Sequence, residues 1–199
     1  MKKTIIGALV GGLIIFIWQF LSFALINFHK PAQNYTEKQD AILSYLNSQQ
    51  LAEGGYIMPN LPESATMDDH EQLMKTATGK PWAIVQYHAS QENDMVMNMI
   101  RGFLVNVVIV LLFCWLLRRM IAPAFSTIVT SALVVGLIVF LNAPYTGFIW
   151  YKNFDIWASL ADAVFSWGLT GIWLAWWLTR GSTGVNSVRA RERPAEMAN

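Results

Sequence analysis

The chain has 199 residues, of which 54% are apolar and 14% charged, with a net charge of +1. An ordinary soluble domain carries about 25% charged residues, so this composition points to a bilayer rather than to water. The near-neutral balance gives no polyelectrolyte signal for nucleic acid, and a lone cysteine, Cys114, excludes an internal disulfide framework.

The first apolar run, TIIGALVGGLIIFIWQFLSFALIN at residues 4–27, is long enough to span a membrane. It follows Met-Lys-Lys, so a signal peptide is the competing reading. The run exceeds an h-region of about 7–15 residues, and FALINFHK offers no small-x-small cleavage site, so a retained helix over residues 1–28 is expected. Gly7 and Gly11 stand at G-x-x-x-G spacing, and Ala8 and Gly12 repeat the small-residue pattern one position on. That spacing permits close helix approach, either inside a bundle or across a dimer.

Residues 29–98 break the composition. Nine acids against four lysines leave a net charge of −5 with histidines neutral. YTEKQDAILSYLNSQQ reads as a helix capped by Thr36, with an Ile42, Leu43, Leu46 stripe. GYIMP reads as a short strand. TMDDHEQLMKTAT reads as a helix capped by Thr66, with Asp68 and Asp69 at its positive end and Gly79 after its last turn. WAIVQYH, at residues 82–88, reads as the second strand. A two-stranded unit of this size is marginal alone and is expected to lean on the membrane helices, a second copy or a partner.

Three further spans follow at residues 99–117, 122–143 and 156–179. The second and third are joined by RRMIAP, with Pro123 expected in the first turn of the third helix. Residues 144–155 carry Tyr145, Phe148, Trp150, Tyr151 and Phe154 and are expected to be an interfacial aromatic loop. The tail at residues 180–199 has few apolar residues and is expected to be mobile. Lys2, Lys3, Arg118, Arg119 and Arg180 fall on one side of this topology, and short loops obey the positive-inside bias best. The expectation is therefore a mainly α, inner-membrane protein. It has four transmembrane helices, both termini cytoplasmic, and a small α+β extracytoplasmic domain between helices 1 and 2.

Polar residues inside the spans gather at one depth. Asp162 lies about 9 Å from the outer end of its helix, Asn106 about 10 Å and Gln19 about 12 Å. Asn98, Arg101, Val105 and Asn106 are assigned to one sector of the second span, and Ser159, Asp162 and Ser166 to one sector of the fourth. A carboxylate in hydrocarbon costs at least about 2.5–3.5 kcal/mol and must find a partner. Arg101 is the cation expected to pair with Asp162, with Gln19 and Asn106 as amide donors. The alternative is that the same four residues line a cavity for a cation, a proton or a small polar ligand.

Met95, Met97 and Met99 with His70 and His88 have donor types that suit Cu(I), but on a helix Met97 points away from the other two. No metal site or cofactor is expected. G-x-S-x-G, H-E-x-x-H, P-loop and Cys-x-x-Cys patterns do not occur in the chain. The expected role is non-enzymatic: an accessory or scaffold subunit of a membrane complex, with the bilayer and a protein partner or second copy as its contacts. The alternative role is binding of an ion or small polar ligand around Asp162.

Overall fold

The computed structural model describes residues 2–180. In chain order its elements are α1 (Lys2–Phe20, continued by a wider π turn, Leu21–Leu25), α2 (Gln39–Ser48), β1 (Gly54–Met58), α3 (Met67–Ala77) and β2 (Ala83–Tyr87). There follow α4 (Met95–Leu117), α5 (Phe125–Phe140, continued by a π turn, Leu141–Tyr145), α6 (Thr146–Trp150) and α7 (Ile156–Thr179). The chain divides into a four-helix unit and a second unit, Tyr35–Asn93. The tail expected to be mobile falls, after Arg180, outside the described residues.

The four long helical segments are Lys2–Leu25, Met95–Leu117, Phe125–Trp150 and Ile156–Thr179, each apolar enough to cross a membrane. At 1.5 Å per residue each is about 35–39 Å long, against a hydrocarbon core of about 30 Å. The chain is thus built as a multi-pass membrane protein.

Three expected boundaries move. α4 begins at Met95 rather than residue 99, so the second unit ends earlier than proposed. Pro123 precedes the third long helix, which starts at Phe125 after Ala122 turns the chain at φ 43°. The aromatic segment after residue 143 is mostly helix rather than loop, because α5 runs through Pro144. Proline removes an N–H and crowds the preceding turn, and widening to a π turn accommodates both. The Leu141 carbonyl there accepts the Thr146 N–H and the Thr146 Oγ1 at 2.8 Å.

In the four-helix unit α1 packs on α4 and α7, and α5 packs on α7. The core between them holds Ile15, Val110, Phe113, Ile128, Ala132, Trp167 and Leu174. Small residues set how close the helices come. A Cβ on Gly12 would lie 2.7 Å from Val107 Cα, and one on Gly136 would lie 2.7 Å from the Ala163 carbonyl oxygen. Gly7 faces Leu174 and Trp177, and Gly11 faces Val110 and Thr170. The opposite face of α1 leaves Ile5, Leu9, Leu13 and Ile17 exposed, as a lipid-facing stripe requires.

One end of this unit is basic. Lys3 Nζ donates to the Arg180 carbonyl, and Trp177 Nε1 donates to the Lys3 carbonyl at 2.8 Å. Arg118 lies beside Thr4, Ile5 and Trp115 at the same end. Arg119 and Arg180 sit over the rings of Trp115 and Trp176.

The second unit pairs β1 with β2 antiparallel, Gly54 opposite Tyr87 and Met58 opposite Ala83. Thr66 caps α3 in a reciprocal box with Asp69: Thr66 Oγ1 accepts the Asp69 N–H, and the Thr66 N–H donates to Asp69 Oδ2 at 2.8 Å. The Thr66 N–H and the Thr66 hydroxyl, which donates to Asp69 Oδ2 at 2.7 Å, hold the Asp69 carboxyl below its ordinary value. Gly79 takes φ 79° after α3. Thr36 does not cap α2, which starts three residues later at Gln39; instead the Thr36 carbonyl accepts the Gln39 N–H in a preceding turn. Among the residues of this unit only Tyr87 is buried.

A candidate site at the end of the helix bundle

Helix α1 ends with a reversal. After the π turn, Asn27 adopts the left-handed conformation at φ 57°, one that asparagine tolerates better than most side chains. The Phe28 N–H then bonds the Ser22 carbonyl at 2.9 Å. The chain folds back on itself, and His29 enters the bundle instead of leaving for solvent.

There the imidazole lies between two carboxylates. His29 Nδ1 is 2.7 Å from Asp155 Oδ2, and Nε2 is 2.9 Å from Asp162 Oδ2. The His29 side chain is 4% exposed, against 17% for Asp155 and 20% for Asp162, so the carboxylates keep an open side and the ring does not. Phe23 stacks on the imidazole with ring centres 3.8 Å apart. The other oxygen of Asp162, Oδ1, accepts the Trp18 indole N–H at 2.9 Å. Asp155 immediately precedes α7 and Asp162 lies two turns inside it, so His29 ties the exit of α1 to the first turns of α7.

Burial disfavours the imidazolium, but the hydrogen bonds and negative charges of Asp155 and Asp162 outweigh it and hold His29 above its ordinary value near 6.5. A protonated ring donates from both nitrogens, which is what two carboxylate acceptors require.

A cavity of about 480 Å³ opens beside this cluster. Trp18, His29 and Asp162 reach it, as do Gln19 and Asn106, and Phe140 and Trp167 form apolar wall. Gln19 and Asn106 bond each other, Asn106 Nδ2 donating to Gln19 Oε1 at 2.8 Å, rather than Asp162. Ser159 and Ser166 line the same cavity from α7.

Arg101 stands apart. It is exposed on α4 and forms no ion pair with Asp162, whereas Asn106 is buried. Five residues at about 100° each place the two about 140° apart around the helix, so they cannot share a sector. His29 and Asp155, absent from the residues expected to form the cluster, complete it. His29 lies outside every expected span, at the start of the segment 29–98. The Asn after an apolar helix was the available signal, since a left-handed cap there returns the next residues to the helix end. Gly7 and Gly11, in contrast, lie against α7 and α4 inside the same chain.

No protein-family model, curated protein or solved structure matches the chain.

Proposed function

We propose that this chain is a non-enzymatic inner-membrane protein that binds a small polar or charged ligand in the cavity beside His29 and Asp162. The observation that carries the reading is the charge balance of the cluster. One imidazolium neutralises one carboxylate, yet two carboxylates face it. A purely structural lock needs only one. A surplus negative charge beside a cavity of about 480 Å³ favours a binding role. Catalysis by His29 as a base is disfavoured because both ring nitrogens already face carboxylate oxygens.

Lys2, Lys3, Arg118, Arg119 and Arg180 support an orientation with that basic end cytoplasmic and the His29 cavity extracytoplasmic. Both termini would then be cytoplasmic and residues 35–93 extracytoplasmic.

The test is chemical. The full chain is purified in lipid nanodiscs, denatured, and the released small molecules are compared between wild type and Asp162→Asn by mass spectrometry. A compound near one per chain in the wild type and depleted in the variant is expected. Identical contents in both would reject the binding reading.

A second reading, an accessory subunit of a membrane complex, is favoured by a separate observation. The unit Tyr35–Asn93 buries only Tyr87 and leaves Leu43, Tyr45 and Trp82 exposed. So thin a core favours a protein partner or a second copy over it. Gentle purification from native membranes tests this; recovery of the chain alone and monomeric would reject it.

A further inference from the structure

Resting on the cavity as a ligand site, we infer that its ligand is an organic monocation: a protonated or quaternary amine carrying an apolar body. Three observations converge. The cluster holds two carboxylates against one imidazole, so even with the ring charged the site keeps one negative charge. Asp162 and His29 both line the cavity, but Asp162 is partly open while the imidazole is buried with Phe23 stacked on its face. The rest of the wall is largely aromatic and aliphatic, with Trp18, Phe140, Trp167 and Ile109 among the lining residues. Aromatic faces attract ammonium groups, most strongly where water is excluded.

The same wall argues against the other ligand classes. A hard metal ion takes about six to eight oxygen ligands. The cavity offers one carboxylate, Asp162, beside Ser159, Ser166, Gln19 and Asn106, and no group of three or more His, Cys, Asp or Glu able to hold a metal occurs among the described residues. The imidazole nitrogens are already directed at carboxylates. An anion would meet Asp162, and among the described residues no strong cation lines the cavity besides His29. A neutral apolar molecule would leave the surplus charge unpaired. A cation with a hydrocarbon body satisfies both parts of the site: its charge faces Asp162, and its body lies against Phe140 and Trp167.

The experiment changes the ligand rather than the protein. Full-length chain, labelled with ¹⁵N at tryptophan, is placed in nanodiscs and titrated with benzylammonium, benzyl alcohol and phenylacetate. These probes are similar in size and differ in charge; empty nanodiscs correct for partition into lipid. The Trp18 indole N–H, which touches Asp162, is the reporter and is assigned by its loss in Trp18→Phe. A saturable shift is expected with benzylammonium, at least about tenfold tighter than with benzyl alcohol and absent with phenylacetate. Asp155→Asn should weaken benzylammonium binding by about tenfold, with Trp18 still reporting.

Benzyl alcohol or phenylacetate binding as tightly as benzylammonium would overturn the cation assignment and leave the cavity as a ligand site. Benzylammonium binding unchanged by Asp155→Asn would also overturn it. No saturable shift with any of the three would overturn both the assignment and the binding reading beneath it.

Discussion

A histidine held between two carboxylates stabilises a fold only while it carries its proton. In the folded chain His29 is held above its unfolded value near 6.5, because the hydrogen bonds and charges of Asp155 and Asp162 outweigh burial. Its contribution is therefore complete below about pH 6.5 and is lost as pH rises through the higher folded value. The melting temperature of the purified chain should fall between about pH 6.5 and the folded value, and His29→Gln should flatten that fall. An equal fall in the variant would place the effect elsewhere. The partnership itself is measurable in a double-mutant cycle. His29→Gln or Asp162→Asn should each cost roughly 1–3 kcal/mol, with a coupling of about 1 kcal/mol or more between them. Arg101→Gln should stay within about 0.5 kcal/mol and couple to neither. Comparable coupling of Arg101 with Asp162 would restore the pair that depth alone suggested. Depth along a helix was legible in the sequence, but the partner was not. Arg101 was at the right height and the wrong angle, and His29 arrives through one residue with positive φ, Asn27.

Helix α1 is defined less by what it carries than by what it lacks. Gly12 lets it approach the backbone of α4, with Val107 Cα 2.7 Å from where a Cβ would stand. Gly12→Ala should cost about 1–3 kcal/mol in bundle stability, because a helix backbone cannot step aside as a side-chain tip can. Gly147, whose Cβ would meet nothing within 4 Å, provides the control, and Gly147→Ala should be close to neutral. Equal losses at both positions, measured by thermal unfolding in detergent, would remove close packing as the cause. At this scale the sequence was informative where chemistry is local. The span Ile156–Thr179 and the Thr66 cap stand where length, hydropathy and cap chemistry put them. The segment around Pro144 was misread as a loop, because a proline inside a helix looks like an ending unless a π turn absorbs it.

The whole molecule joins two chemistries: a bundle with a lipid-facing apolar surface, and a small acidic unit with one buried side chain. The proposed orientation predicts that a cysteine at Asn60 reacts with an impermeant thiol reagent on intact cells and one at Met120 does not. The reverse pattern would invert the topology and turn the cavity toward the cytoplasm. The cavity depends on a meeting between segments far apart in the chain, which no local pattern in the sequence specifies. That meeting can be tested by cross-linking in native membranes with a short bifunctional thiol reagent, in a Cys114→Ser background. The His29→Cys/Asp162→Cys pair should yield a linked peptide by mass spectrometry, and Arg101→Cys/Asp162→Cys should not. Linkage through position 101 and none through position 29 would contradict the account.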